Sequence, residues 1–291
     1  MKEMFLYRGC TAPVRHPQYE AATIAVLEKL GVRLLDMKDA NCCGAQYVES
    51  LNRRAFAAMC GRILALAERF DKDIVTICGA CTGSLKHNQH YLDTEPDLRK
   101  EVNSLLEEES LEYTGKVKVK HLLQVLKEDI GYGRIRAATI KPYHHLKLAA
   151  HYGCHMTRPY EILQVDDPDN PRIIDDLVAA VGGTPVDYAG KTRCCGGPML
   201  AMDADVATQI GQEKIGNVKA AGAQGIVTAC VFCDIQLTQV QFGEDTKGPR
   251  IPIITIPQLL GVALGLDEEA LGIEMNKISP DIILEAVQEA K

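Results

Sequence analysis

Ten of the chain's eleven cysteines fall into two copies of one pattern, and no other feature constrains the fold as tightly. The first copy runs Cys10, Cys42-Cys43, Cys78 and Cys81; the second runs Cys154, Cys194-Cys195, Cys230 and Cys233. In each copy 34 residues separate the adjacent pair from a Cys-x-x-Cys, and the last four cysteines recur 152 residues on (194 minus 42). Gly44 and Gly196 match at that distance, as do Thr76 and Thr228, while Gly9-Cys10 and Gly153-Cys154 match at 144. Self-similarity at a fixed period marks an internal duplication. Cys60 has Gln212 as its counterpart, so it falls outside the pattern. It reads as a small buried side chain.

The surroundings repeat with the cysteines. Apolar runs at 4–7 and 146–152 precede the two leading cysteines, and β-rich runs at 74–77 and 226–229 lead into Cys78 and Cys230. Residues 32–35 and 185–188 read as strands before the two Cys-Cys-Gly triplets. Between them, 19–30, 51–70, 173–181 and 206–221 carry apolar residues at helical spacing, with Gly31 as a helix stop. A further strand and helix close each half, at 117–119 with 122–126 and at 251–256 with 259–264. This alternation gives an α/β class: two duplicated Rossmann-like domains with largely parallel sheets, related by a pseudo-twofold. The expected domains are 1–140 and 141–291, with the boundary in the basic, Gly-containing stretch 131–145. Sites in open α/β sheets form beyond the carboxyl ends of the strands, so three strand ends in each half would bring five thiols to one edge.

Composition narrows the function. A net charge of -7 supplies no basic face for nucleic acid. No stretch approaches the roughly 18 apolar residues of a membrane helix, and the residues before Arg8 are too few for a signal-peptide core. The chain therefore reads as cytoplasmic. A reducing compartment disfavours disulfides and turns cysteines toward metal or redox roles. The acidic runs 107–109 and 166–169 read as solvated faces or loops. The acidic tail after Leu264 reads as a surface helix or interface segment, with 264–283 as the expected apolar docking surface for a partner.

A Cys-x-x-Cys after a strand suits a thioredoxin-like dithiol, a zinc half-site or an iron–sulfur cluster. Structural zinc and a cubane cluster each take four ligands, and each half offers five. Adjacent side chains diverge, so a Cys-Cys pair serves two irons more readily than one. The count favours an iron–sulfur cluster of non-standard geometry, with zinc and a metal-free dithiol as alternatives.

The twice-repeated pattern resembles the cysteine-rich CCG domain family and, within it, the B subunits of heterodisulfide reductases of methanogenic archaea. The resemblance spans nearly the whole chain. It rests further on Arg8-Gly9-Cys10, His151-Tyr152-Gly153-Cys154-His155 with Arg158-Pro159, Asp167-Pro168-Asp169-Asn170-Pro171, and Pro257-Gln258-Leu259-Leu260-Gly261. Val231 departs from the family, which usually has Pro there. The resemblance implies two non-cubane 4Fe–4S clusters. One would be held by Cys10, Cys42, Cys43, Cys78 and Cys81, the other by Cys154, Cys194, Cys195, Cys230 and Cys233. It implies reduction of the coenzyme M–coenzyme B heterodisulfide to two thiols in methanogenesis, each cluster giving one electron and taking one sulfur. Neither a Gly-x-Gly-x-x-Gly fingerprint nor a ferredoxin-type run of close cysteines is present, so electrons must come from elsewhere. The implied partners are the reductase's ferredoxin-like iron–sulfur protein (its C subunit), its flavin-containing protein (its A subunit) and, through them, a hydrogenase or formate dehydrogenase. The alternatives are a CCG protein of another oxidoreductase, hydroxy-acid or quinone-linked, and a zinc- or cluster-bearing adaptor that is not an enzyme.

The implied substrate carries a sulfonate, a phosphate and a carboxylate. Arginine suits such anions, and lysine and histidine also serve. Arg8, His16, His155 and Arg158 are the expected contacts, with Arg15, Lys191 and Arg193 as further candidates. His151 reads as a hydrogen-bonded core histidine. Gly44, Gly196 and Gly197 read as points where the backbone passes close to a cluster.

Overall fold

The computed structural model describes residues 1–243 and 248–287. Its first half holds β1 (Lys2–Tyr7), β2 (Val32–Asp36), β3 (Ile74–Thr76) and β4 (Val119–His121), hydrogen-bonded in the order β2-β1-β3-β4. The second half holds β5 (Lys147–His151), β6 (Thr184–Val186), β7 (Gly225–Thr228) and β8 (Ile253–Thr255), in the order β6-β5-β7-β8. Every pairing is parallel. The duplication read from the cysteines is thus a duplication of topology, and the α/β expectation holds.

The inner strands explain why. β3 and β7 are buried throughout, and β1 and β5 from their third and second residues onward. Their near-continuous apolar runs suit parallel strands covered on both faces by helices. β6 lies at a sheet edge, where the missing N–H of Pro185 is tolerated. The helices repeat as well. Arg53–Arg69 begins where the Asn52 side chain accepts from the Ala55 amide at 3.0 Å, and Ala204–Ala220 where Asp203 accepts from Val206 at 3.0 Å. Asn52 adopts an extended conformation and divides the continuous helix expected at 51–70, leaving Ala45–Leu51 as a separate short helix.

The halves exchange helices. Pro17–Lys29, which follows β1, packs on Ile256–Ala263, which follows β8. Reciprocally, Tyr132–Ala138, after β4, packs on Ile173–Ala180, after β5. One hydrophobic core accordingly draws on both halves, with Leu27, Leu123, Val178 and Leu260 all fully buried in it. Reciprocal packing of this kind is what a pseudo-twofold between the halves produces.

Two expectations change. The segment after Leu264 is not a free apolar surface: Leu264, Leu271, Ile273 and Ile283 are buried in the shared core. Its last four residues, 288–291, lie outside the described residues. The run at 166–169 is not merely solvated either. Asp166 is buried, and one carboxylate oxygen accepts from the amides of Arg172 and Ile173, each at 2.8 Å.

Candidate metal centres

Each cysteine set gathers past the carboxyl ends of three strands. Cys10 follows β1, Cys42 and Cys43 follow β2, and Cys78 follows β3, with Cys81 one turn into helix Gly79–Thr94. The chain leaves β1 toward β2 on one side and returns to β3 on the other, so the thiols sit at the topological switch point of the sheet, where such folds bind ligands. The second set repeats this past β5, β6 and β7, with Cys233 inside helix Val231–Gln239. The Sγ atoms of Cys43 and Cys81 lie 3.7 Å apart. In the second half one ring nitrogen of His151 and the Sγ atoms of Cys195 and Cys233 lie within 4.8 Å of one another.

The two sets face each other. Cys78 and Cys230, counterparts in the repeat, have Sγ atoms 3.9 Å apart, and the Gly79 amide donates to Cys230 Sγ at 3.3 Å. A contact between repeat counterparts places the pseudo-twofold axis beside this pair. The recess of the first set is lined by Arg8, Cys10, Cys42, Tyr47 and Phe232 among others, and that of the second by Gln46, His155, Pro198 and Phe232. Ala80 and its counterpart Phe232 line both.

Crowding dictates the electrostatics. Hydrogen bonding with Cys42 and with Cys81 lowers the Cys43 thiol, while Cys42 is pushed up by its bond to Cys43. Cys194 is lowered by Cys154 and Cys195, and Cys154 is pushed up in turn. Cys230 is lowered as well, by Cys233 and Cys78, so a few thiolates are held at the expense of their neighbours. Five together need compensating positive charge, which metal ions supply.

The supports repeat too. Gly44 and Gly196, both at positive φ, donate their amides to Cys42 Sγ and Cys194 Sγ, each at 3.3 Å. Arg62 Nη1 donates to the Asp39 carbonyl at 2.7 Å, and Lys214 Nζ to the Lys191 carbonyl at 3.5 Å and the Gly190 carbonyl at 2.6 Å. Both residues, Arg62 and Lys214, and both acceptors, 39 and 191, are 152 apart, so each cation pins the loop that enters its Cys-Cys pair. The sequence reading missed this pair, although the offset that aligned the cysteines aligns it.

The cysteine-rich CCG domain matches the chain twice, at residues 4–86 and 148–238. The chain belongs to the CCG family. The B subunit of a ferredoxin/F420H2-dependent CoB–CoM heterodisulfide reductase from Methanosarcina acetivorans is 35% identical over 96% of this chain and 94% of its own. The B subunit of a ferredoxin:CoB–CoM heterodisulfide reductase from Methanosarcina mazei is 34% identical over the same shares. A crystal structure of a hypothetical protein from Helicobacter pylori shares the fold, with a TM-score of 0.79 at 13% identity over 96% of this chain and 52% of that one. Among the described residues, no helix of this CCG protein is long and apolar enough to cross a membrane.

The residues expected to meet an anionic substrate divide. Arg8 lines the first recess, its guanidinium held by Glu20 and Asp36 at 3.0 Å each, and His155 lines the second. His16 is buried in a different cavity, with Nε2 3.2 Å from Asp234, and Arg15 lines that cavity beside it. Arg158 donates to the Pro168 carbonyl at 2.9 Å, away from both recesses. Lys191 is paired with Asp175 at 2.9 Å and Arg193 with Glu213 at 2.9 Å.

The interior of this CCG protein fits an iron–sulfur group. The donor set is soft thiolate, which suits iron–sulfur clusters and zinc rather than hard cations. A Cβ on Gly9 would lie 2.9 Å from Cys81 Sγ, so only glycine lets the backbone pass there. The Tyr19 hydroxyl is buried without a hydrogen-bond partner, where Cys230 and Cys78 act on it. Cys60 is buried and donates to the Cys43 carbonyl at 3.4 Å, one step removed from the thiol set. His151 departs from expectation: neither ring nitrogen has a hydrogen-bond partner, and burial pushes its imidazole down to about 3, which keeps it neutral.

Proposed function

We propose that this CCG protein is the disulfide-cleaving component of a heterodisulfide reductase, reducing the mixed disulfide of coenzyme M and coenzyme B to the two thiols. The observation that carries the reading is the meeting of two matched thiol sets at Cys78 and Cys230, Sγ atoms 3.9 Å apart. Cleavage consumes two electrons and two protons and leaves two thiols, and two facing centres match that stoichiometry. Two 4Fe–4S clusters, one held by Cys10, Cys42, Cys43, Cys78 and Cys81 and one by Cys154, Cys194, Cys195, Cys230 and Cys233, supply single electrons when bound. The chain's own residues do the rest. Ala80 and Phe232 give both recesses a common apolar wall, against which the uncharged middle of a substrate would lie. Arg8 and His155 stand at opposite recesses, where they would bind the charged ends of a long anionic substrate. With no dinucleotide or ferredoxin motif of its own, the chain takes its electrons from partner proteins, a ferredoxin-like iron–sulfur protein and a flavoprotein behind it.

Anaerobic metal analysis tests the reading: about eight irons per chain are expected, four per set, and no zinc. Stoichiometric zinc would refute it. With an artificial one-electron donor the purified chain should reduce the heterodisulfide and leave hydroxy acids untouched. Turnover of a hydroxy acid, or reduction driven by NADH with no partner present, would move the protein to another branch of the family.

A further inference from the structure

The second centre contains a side chain for which the first has no equivalent. His151 closes β5 and Tyr7 closes β1, each three residues before the leading cysteine of its set. Tyr7 is satisfied by backbone, its hydroxyl donating to the Asn41 carbonyl at 2.9 Å. His151 is 1% exposed and has nothing of the kind. A neutral imidazole carries one N–H and one lone pair, and a buried donor without an acceptor is costly. Sulfurs lie beside the ring: one ring nitrogen is within 4.8 Å of both Cys195 Sγ and Cys233 Sγ. Lys214, a cation on which these thiols act, spends its hydrogen bonds on backbone carbonyls.

We infer that His151 is a positioning residue that tunes the second centre, its ring N–H donating to the sulfur face formed by Cys195 and Cys233. The inference rests on the reading that each set holds an iron–sulfur cluster. Hydrogen bonds to cluster sulfurs favour the reduced, more negative state and raise the potential. Tyr7 gives the first centre no such donor, so the repeat, symmetrical in its ligands, is unsymmetrical in its redox tuning.

The test uses the full-length chain with its clusters reconstituted anaerobically, in His151→Phe, His151→Gln and Tyr7→Phe forms beside wild type. Iron content is measured first, followed by an EPR-monitored redox titration. His151→Phe should retain all the iron and make the second cluster about tenfold harder to reduce at a given potential, a downward shift of about 59 mV for a one-electron couple. His151→Gln keeps an amide donor and should recover part of the shift, while Tyr7→Phe should leave both midpoints in place. Wild type grown with 15N-histidine should show weak nitrogen hyperfine coupling on the second cluster, a readout independent of how any variant folds. Full iron with unmoved midpoints in His151→Phe, or wild type without nitrogen coupling, would overturn the inference alone. Coupling strong enough for direct ligation would also overturn it, by making His151 a ligand. A wild-type protein without iron would overturn the cluster reading itself, so the two failures are told apart before any titration begins.

Discussion

The two cysteine sets share spacing, strand order and backbone supports, yet they differ in how open they are. Cys10 and Cys42 are exposed, whereas their counterparts Cys154 and Cys194 are half-buried. The cause lies in the one interval the duplication did not preserve: 31 residues separate Cys10 from Cys42, and 39 separate Cys154 from Cys194. Cys10 sits in a turn just after Gly9 at positive φ, ahead of the four-residue helix Ala12–Arg15. Cys154 opens helix Cys154–Thr157, and the longer connection beyond it is tied down through Asp166 and the Arg158–Pro168 contact. Where spacing was kept, from Cys-Cys to Cys-x-x-Cys, the geometry was kept. Duplication thus preserved the cysteine frame, while the leading arm diverged to leave the first set more exposed than the second.

The largest effect expected from breaking this pair is loss of one centre. Cys195 and Cys43 are counterparts and both buried. Replacing either with Ala should remove roughly half the iron, about four atoms per chain, and abolish heterodisulfide reduction, since one remaining centre cannot match a two-electron cleavage. Iron analysis beside a turnover assay checks this. Normal turnover at half the iron would mean that the centres act independently and that their meeting at Cys78 and Cys230 is incidental.

A smaller effect separates the halves through their glycines. Gly44 and Gly196 have φ of 78° and 90°, conformations that cost an L-residue roughly 1–2 kcal/mol. At Gly44 an added Cβ would lie 2.8 Å from the Cβ of Val48, which can give way only with the short helix Ala45–Leu51, none of whose residues is buried. At Gly196 it would lie 2.4 Å from the Ala207 carbonyl oxygen, in the first turns of Ala204–Ala220, which cannot move without displacing the helix. Gly196→Ala should therefore lower the melting temperature more than Gly44→Ala and should loosen the second set first. Thermal melts of both variants, paired with iron counts, decide it. Equal losses would show that left-handed strain alone sets the cost.

Much of this was legible in the chain because it was written twice. Strand order and eight of the ten thiols follow from the 152-residue offset, and the leading pair, Cys10 and Cys154, from one of 144. What stayed hidden depends on groups brought together by the fold. The helix expected at 51–70 breaks because the Asn52 side chain caps Arg53–Arg69 rather than continuing a helix, a choice periodicity does not register. The tail after Leu264 reads as an interface because it is rich in acidic residues, which do face out, while its few apolar ones fill the core that the two halves share. His16 and Arg158 looked like anion contacts from their nearness to Cys10 and Cys154 in sequence. The chain turns them away, one toward Asp234 and the other toward the Pro168 carbonyl.

The smallest expected effect concerns the cysteine without a partner. Cys60 is fully buried, and its thiol donates to the carbonyl of Cys43, so it braces the first Cys-Cys pair without facing it. Removing its sulfur forfeits about one methylene's worth of burial and one weak hydrogen bond, together about 1 kcal/mol. For a chain of this size that corresponds to a melting temperature lower by roughly 2–4 °C. Cys60→Ala should therefore keep the full iron complement and near-normal turnover while melting slightly earlier. The second half manages with Gln212 at the matching position, which shows that the frame does not require a thiol there. If Cys60→Ala instead lost the first centre's iron, the first set would hold six thiols against five in the second, and the duplication would no longer define what the metal sees.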